Sequence, residues 1–248
     1  MKGLLRLLSY PLSVLFYLLF GIYLLVFDVI QRICLNIFGY QAHKVSVDYF
    51  NWFLFRTLHI LGTSYKISLP DDLPKGVPVI IASNHQSMWD IPPIIWFLRK
   101  LHPKFISKIE LGKGIPSVSY NLKHGGSVLI DRKDPEQALA ELEKFARYLS
   151  ETNRSGVIFP EGTRSRDGHP KKFHRKGLRT LFKNIPEAWV LPVTINNSWK
   201  LQRNGMFPIP LGTRFQLKAH APLKVSEYDT ETLISRIEEI VTSHIVEP

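Results

Sequence analysis

The chain has 248 residues, with 32 Lys or Arg against 21 Asp or Glu, and its formal net charge is +11. Its 45% hydrophobic and 21% charged residues are typical of a globular protein and exclude a disordered or collagen-like chain. The single cysteine, Cys34, excludes an internal disulfide framework and a cysteine-rich zinc site. The excess positive charge indicates an acidic partner: nucleic acid, anionic lipid headgroups or a phosphorylated substrate.

The N-terminal segment is strongly apolar. No charged residue lies between Arg6 and Asp28, and Leu12–Phe27 is almost wholly aliphatic and aromatic. That stretch is just long enough to cross a bilayer as a helix. No small-x-small cleavage site follows it, which favours a retained anchor over a signal peptide.

A second apolar segment follows a break around Gly39–His43. Val47–Leu61 is rich in Trp, Tyr and Phe with polar residues interspersed, which predicts an amphipathic helix suited to a membrane interface. The alternative is a helix packed on the soluble core, because burial at either place gives the same pattern. Two consecutive apolar helices predict that residues 1–62 form a membrane-anchoring segment, and they disfavour nucleic acid as the partner.

Residues 63–248 have the pattern of an α/β domain. A cap, a proline and an acidic first turn at Asp134–Gln137 predict one helix, and apolar spacing predicts another over Glu231–Ile245. Strands alternating with helices predict a mixed, partly parallel sheet flanked by helices. Short β-branched runs predict strands at Tyr65–Leu69, Val77–Ala82, Lys104–Ser107, Ser127–Ile130, Gly156–Phe159, Trp189–Ile195 and Arg214–Ala219.

A histidine directly follows one of these apolar strands. His85 lies just beyond Val79–Ala82, where an α/β sheet usually presents its site. If the chain turns into a helix near Ser87, the carboxylate of Asp90 can accept a hydrogen bond from one ring nitrogen and leave the other free to accept a proton. His43 and Asp48 show the same spacing, but that pair lies in the linker between the apolar helices and follows no strand.

A second constellation follows the strand near Val157–Phe159. Gly162 allows close backbone approach, and the hydroxyl of Thr163 and the guanidinium of Arg164 flank it, which suits a phosphate clamp. An ordinary Pro-Glu-Gly-Thr turn is the alternative. Two basic runs, Arg99–Lys133 and Arg164–Lys183, both follow predicted strand ends. A solvated basic face is the default explanation of such runs, and convergence on one phosphate site is the alternative.

Asn84-His85-x4-Asp90 and Phe159–Ser165 together resemble the motifs of the glycerolipid acyltransferase family, and most closely those of the bacterial 1-acylglycerol-3-phosphate acyltransferases. Three further segments match in order: Lys108–Leu111, Gly126–Arg132 and Val190–Val193. The resemblance covers residues 65–219, and the ordered set is more specific than either main motif.

The resemblance implies a mechanism. In the family the histidine is a general base, the aspartate orients it, and a hydroxyl attacks a thioester directly; here these roles fall to His85 and Asp90. It implies no metal and no cofactor, with an acyl carrier protein or coenzyme A thioester as co-substrate. The substrate-binding residues that it implies are Asn84, Lys108, Arg132, Glu161, Gly162, Thr163, Arg164 and Pro192.

The expected acceptor is lysophosphatidic acid, converted to phosphatidic acid. The expected partners are a phospholipid membrane, a lysophospholipid and the thioester donor, with no nucleic acid. The expected location is the cytoplasmic face of the inner membrane, in a monotopic or single-pass arrangement. Three alternatives stay open: another lyso-lipid acceptor, a non-catalytic module that binds anionic lipid, and a metal hydrolase using His85, Asp90 and His124.

Overall fold

A computed structural model of the chain describes residues 2–247. The protein has six α-helices and eight β-strands within that range. The helices are α1 (Lys2–Thr57), α2 (Ile91–Phe97), α3 (Val118–His124), α4 (Pro135–Thr152), α5 (Arg175–Asn184) and α6 (Thr230–Ser243). The strands are β1 (Ser64–Ser68), β2 (Val79–Ser83), β3 (Pro103–Lys108), β4 (Val128–Ile130), β5 (Ser155–Ile158), β6 (Trp189–Asn196), β7 (Arg214–Ala219) and β8 (Leu223–Lys224).

All the strands belong to one mixed sheet in the order β1-β7-β6-β2-β5-β3-β4, with β8 also paired to β6. The five strands β4, β3, β5, β2 and β6 are mutually parallel. β7 and β8 run antiparallel to β6, and β1 is parallel to β7. The carboxyl ends of the five parallel strands therefore meet at one edge of the sheet, where α/β proteins commonly bind ligands.

The sheet has a core on each face because successive residues of a strand point to opposite sides. Ile80 of β2 packs with apolar residues of α4, α5 and α6, whereas its neighbour Ile81 packs with Ile94 of α2 and with Val47 of α1. Both β2 side chains are fully buried. Burial on both faces explains why Val79–Ala82 of β2 and Trp189–Val193 of β6 are continuous apolar runs in the sequence.

Each predicted strand is confirmed, with both ends within two residues of the observed ends. The predicted helix that begins near Asp134 is α4, and the helix predicted over Glu231–Ile245 is α6, again within two residues at each end. α2, α3, α5 and the short β8 were not predicted. α2 has the sequence IPPIIWF, in which the two prolines resemble a helix break, although a proline in the first turn of a helix costs no hydrogen bond.

The N-terminal segment forms two helices joined at a bend, as the sequence predicted, and the two are continuous enough to be counted together as α1. Its only non-helical residue is Gly39, with φ 81° and ψ −175°, a conformation that side chains disfavour and glycine accepts. Beyond this bend the chain reverses, so that Phe27 packs on Phe50 and Tyr23 on Phe53, with ring centroids 5.5 and 5.1 Å apart. We call residues 2–38 arm A and residues 40–57 arm B.

Arm B packs against the domain. Val47 is buried in the core that Ile81 of β2 also enters, and the buried ring of Phe55 contacts Tyr65 of β1, with ring centroids 5.3 Å apart. One face of this helix therefore contributes to the core of the domain, which is the alternative that the sequence left open. The helical segment ends at Leu61 and β1 begins at Ser64, next to the predicted boundary between residues 62 and 63.

Arm A has an exposed apolar face. α1 is long and apolar enough to cross a membrane, and only 17% of its most apolar 18-residue window is buried within the protein. An exposed apolar surface of this extent marks an interaction site. The exposed side chains include Leu4, Leu7, Val14, Leu18, Leu25, Val29 and Ile37.

Candidate active site

The predicted site residues follow the carboxyl ends of neighbouring parallel strands. His85 follows β2, Glu161 follows β5 and Arg132 follows β4, while Lys108 is the last residue of β3. Because β2 pairs with β5 and β5 with β3, the topology gathers segments from distant parts of the sequence at one edge.

His85 and Asp90 form the predicted pair. Nδ1 of His85 lies 2.7 Å from Oδ2 of Asp90. The Asp90 side chain is fully buried, whereas 15% of the His85 side chain is exposed. The carboxylate accepts only, so Nδ1 carries the proton and Nε2 of the neutral ring has its lone pair free toward the accessible side. This is the arrangement that a general base requires.

A short helical turn brings the aspartate back to the histidine. Ser87 caps the 3-10 helix Met88–Asp90, since its hydroxyl accepts a hydrogen bond from the amide of Trp89. Oδ2 of Asp90 also accepts hydrogen bonds from the amides of Gln86 at 2.8 Å and Ser87 at 3.0 Å. These bonds satisfy a carboxylate that would otherwise be costly to bury.

Ser198 holds the other oxygen of this carboxylate. Its hydroxyl donates a hydrogen bond to Oδ1 of Asp90, and its amide donates to Oε1 of Gln86 at 3.1 Å. Ser198 lies 108 residues beyond Asp90, and no local sequence pattern singles it out. The signal that points to it is topological, because β6 pairs directly with β2 and Ser198 follows the carboxyl end of β6.

The imidazole ring is also held by stacking. Phe159 lies against His85 with ring centroids 4.0 Å apart and 16° between the ring planes. The carbonyl oxygen of His85 accepts a hydrogen bond from the amide of Ser165 at 2.7 Å. The loop that carries the histidine is therefore tied to the loop that carries the predicted phosphate clamp.

Asn84 and Pro192 occupy positions inside the protein. The side-chain amide of Asn84 donates to the carbonyl oxygen of Ile195 at 2.8 Å and accepts from its amide at 2.7 Å. Pro192 is a buried residue of β6 opposite Ala82 of β2. In this structure Asn84 fixes the histidine loop to β6, and both side chains are turned away from solvent.

The predicted clamp residues surround the turn after β5. A guanidinium nitrogen of Arg132 donates to the carbonyl oxygen of Gly162, whose φ of 70° favours glycine. Nζ of Lys171, which the sequence analysis did not assign to the site, donates to Oγ1 of Thr163 at 3.0 Å and to the carbonyl oxygen of Arg164 at 2.9 Å. Thr163 and Arg164 are exposed, so the turn presents hydroxyl and cationic groups to a ligand.

Glu161 is the unusual residue of this turn. Only 2% of the residue is exposed, and neither carboxylate oxygen accepts a well-aligned hydrogen bond within residues 2–247. Burial raises the pKa of Glu161 to about 7, and this outweighs the backbone amides of Lys171 and His85 and the ammonium group of Lys171, which lower it. The carboxyl group is therefore partly protonated near neutral pH.

The second His-x4-Asp pair does not form. Nδ1 of His43 faces the carbonyl oxygen of Gln31, and Asp48 forms an ion pair with Lys44. In the described part of the chain, no three His, Cys, Asp or Glu side chains are grouped as a metal site requires.

Comparisons with known proteins identify the family and the fold. A family model described as Acyltransferase matches residues 64–196, just over half of the chain. The fold resembles the crystal structure of the 1-acyl-sn-glycerophosphate acyltransferase PlsC from Thermotoga maritima, with a TM-score of 0.77 and 25% identity over 99% of this chain and 96% of that one. The predicted fold class is thereby confirmed.

Several curated relatives are named 1-acyl-sn-glycerol-3-phosphate acyltransferase. The Pseudomonas aeruginosa protein is 29% identical over 87% of this chain and 84% of its own length. The Helicobacter pylori protein is 34% identical over 49% of this chain, and the chloroplast protein of Arabidopsis thaliana is 31% identical over 66%. The chain spans about half the length of these last two relatives, 50% and 46% respectively.

Proposed function

Because the chain belongs to the acyltransferase family, we propose that it transfers a fatty acyl group from a thioester to the sn-2 hydroxyl of 1-acylglycerol-3-phosphate. The product is phosphatidic acid. The observation that carries this proposal is the bond between the Ser165 amide and the His85 carbonyl oxygen at 2.7 Å. This bond joins the loop of the general base to the cationic turn. The acceptor needs the base to take the proton of its hydroxyl, and it needs the turn to bind its phosphate.

The proposed chemistry is a direct transfer. Nε2 of His85 accepts the proton of the acceptor hydroxyl while the hydroxyl oxygen forms a bond to the thioester carbonyl carbon. The tetrahedral intermediate then collapses with cleavage of the carbon–sulfur bond, and the departing thiolate takes the proton from the imidazolium. The buried carboxylate of Asp90 stabilises that imidazolium, which forms only during the reaction.

The acceptor phosphate binds at the cationic turn. Arg164 is exposed, and its own carbonyl oxygen accepts a hydrogen bond from Lys171. A guanidinium group can hold a phosphate through two parallel hydrogen bonds. Arg132 reaches the same turn, and Lys108 lies opposite Ile130, two residues before Arg132, in the register of β3 and β4. The carboxyl group of Glu161 is buried, so in this proposal it orients the neighbouring Lys171 and does not itself contact the acceptor.

The exposed apolar face of arm A binds the membrane in this proposal. A lysophospholipid and its diacyl product dissolve poorly in water, so a base held at the bilayer surface meets the acceptor without extracting it fully. The donor is a soluble thioester of acyl carrier protein or coenzyme A. Both carriers are acidic, and the net charge of +11 favours their approach. We place the enzyme on the cytoplasmic face of the cell membrane, where such thioesters are available.

The test is acyl transfer by the purified, detergent-solubilised protein to a panel of acceptors. The panel contains lysophosphatidic acid, lysophosphatidylethanolamine, lysophosphatidylcholine and a lyso-aminolipid, each with palmitoyl thioesters of acyl carrier protein and of coenzyme A. We expect thiol release and phosphatidic acid in equal amounts with lysophosphatidic acid. Turnover confined to another acceptor would contradict the proposed substrate, and no thioester consumption with any acceptor would contradict the proposed activity.

A further inference from the structure

We propose that the tip loop, residues 203–207, is a second lipid-contacting element that inserts Met206 and Phe207 into the anionic bilayer surface that arm A contacts. This inference rests on the membrane association in the proposed function and goes beyond it, because it assigns lipid contact to the catalytic domain itself. The loop follows the 3-10 helix Ser198–Gln202.

The tip loop concentrates the exposed apolar surface of the domain. Met206 is 48% exposed and Phe207 is 45% exposed. Among the described residues after Leu61, the other large apolar side chains with comparable exposure are Ile109 and Val246, which are isolated in the sequence. Two adjacent exposed apolar residues at a loop tip indicate a contact surface.

The tip loop is fixed beside arm A. The ring of Phe207 meets the ring of Tyr10 edge-on, with centroids 5.6 Å apart. The hydroxyl of Tyr17 donates to the carbonyl oxygen of Met206, and the hydroxyl of Ser13 accepts from the amide of Ile209 at 2.9 Å. These three arm A residues lie on one side of the helix. Ser13 on that side is buried against the domain, whereas Tyr10 is itself 39% exposed, so Phe207 lies at the border of the surface that arm A exposes.

The charge around the tip loop suits anionic headgroups. Lys200 and Arg203 both lie over the ring of Trp199, each 5.5 Å from its centroid. Arg203 is exposed, and no Asp or Glu occurs between Glu187 and Glu227. Basic residues near an anionic membrane surface are attracted to it, so the occupant that fits is a bilayer containing anionic lipid.

The tip loop is continuous with the segment that holds the catalytic pair. Oε1 of Gln202 accepts a hydrogen bond from the amide of Met88 at 3.2 Å, while Nε2 of Gln202 lies 3.0 Å from the sulfur of Met206. Four residues before Gln202, Ser198 donates to Asp90. Lipid contact at the loop therefore orders the segment that positions the base beside membrane-borne substrate.

The test is a site-specific fluorescence measurement on the full chain in vesicles of phosphatidylethanolamine and phosphatidylglycerol. The single cysteine is first replaced as Cys34→Ser, and Phe207→Cys is then labelled with a nitrobenzoxadiazole dye. Leu25→Cys on arm A is the positive control, and Val246→Cys, at an exposed position near the C-terminus, is the matched negative control. We expect nitroxide-labelled lipid to quench the dye at positions 207 and 25, and aqueous iodide to quench it at position 246.

The outcomes separate the two proposals. If the dye at position 25 is quenched by lipid but the dye at position 207 is quenched by iodide, the tip-loop inference is wrong and the membrane proposal stands. If neither is quenched by lipid, the membrane proposal itself is wrong.

A second experiment measures turnover by Phe207→Ser relative to wild type. We expect this relative turnover to be severalfold lower with vesicle-borne acceptor than with acceptor in detergent micelles. Val246→Ser should behave as wild type in both media, and equal effects of Phe207→Ser in the two media would contradict the inference.

Discussion

Ser198 and His85 bind opposite oxygens of the Asp90 carboxylate. The serine hydroxyl donates to Oδ1, and the imidazole nitrogen Nδ1 donates to Oδ2. Ser198 and Asp90 are both fully buried, so the carboxylate is held without help from solvent. The family match ends at residue 196, so a residue just outside it holds the proposed catalytic pair.

Ser198→Ala should lower kcat about tenfold and leave KM for the acceptor unchanged, because a buried acceptor that loses its donor costs about 1–3 kcal/mol. Ser198→Thr retains the hydroxyl and should recover most of the turnover. Steady-state kinetics of the three proteins measure the effect. An unchanged kcat in the alanine variant would show that the hydroxyl does not orient the pair.

Asp90→Asn should lower the activity, at a cost no greater than that of His85→Ala. The amides of Gln86 and Ser87 keep the asparagine oxygen at the Oδ2 position, so Nδ1 of His85 still has its acceptor, but the negative charge that stabilises the imidazolium is lost; a loss of roughly 10- to 100-fold is expected, because a hydrogen bond to a charged group contributes about 1.5–3 kcal/mol. The measurement is kcat/KM for lysophosphatidic acid in protein with a normal thermal midpoint. Wild-type turnover would remove Asp90 from the site.

Arg164→Ala should mainly raise KM for a phosphorylated acceptor, by roughly tenfold, since charge-assisted hydrogen bonds contribute about 1.5–3 kcal/mol. The matched control is Arg166→Ala, which removes the same charge from an exposed position two residues away. Acceptor titrations at saturating thioester distinguish the two variants. Equal KM values for both would refute the clamp.

Glu161 should make stability depend on pH. Burial raises its pKa from 4.5 to about 7, so between these values the folded protein keeps a proton that the unfolded chain releases. Stability therefore falls as pH rises through this window, by on the order of 3 kcal/mol in total. Glu161→Gln removes this pH dependence. Burying the glutamine amide can lower the stability of the variant, but by an amount that does not change with pH.

Thermal unfolding in detergent, without substrate, checks the Glu161 prediction. The difference in thermal midpoint between Glu161→Gln and wild type should shift in favour of the variant from pH 4.5 to pH 8. A difference that stays constant with pH would mean that the carboxyl group titrates normally in the folded protein.

Much of the fold is visible in local sequence. Strands buried on both faces are continuous apolar runs, and the α4 helix begins with its own cap at Asp134, whose side chain accepts from two backbone amides. α5, with the sequence RKGLRTLFKN, was missed because its polar residues and internal glycine obscure a narrow apolar face. The reversal at Gly39 was anticipated as a break, but the packing of arm A on arm B depends on contacts between distant residues.

Local sequence likewise reveals one part of the candidate site and not the other. His85 and Asp90 are joined by local turn geometry over five residues, so their spacing could reveal the pair. Ser198 reaches Asp90 only because β6 lies beside β2, and no local pattern records that adjacency. The burial of Glu161 depends likewise on how the loop after β5 folds over it, which determines its raised pKa.

The most direct test of the catalytic assignment compares two histidine variants with lysophosphatidic acid and an acyl thioester. His85→Ala removes the proposed base, while His124→Ala removes an exposed imidazole that lies tilted by 41° against the ring of Tyr120, with ring centroids 4.5 Å apart. We predict that His85→Ala loses thiol release and phosphatidic acid formation while keeping its thermal midpoint, and that His124→Ala retains near wild-type turnover. Retained turnover in His85→Ala, or an equal loss in both variants, would contradict the account.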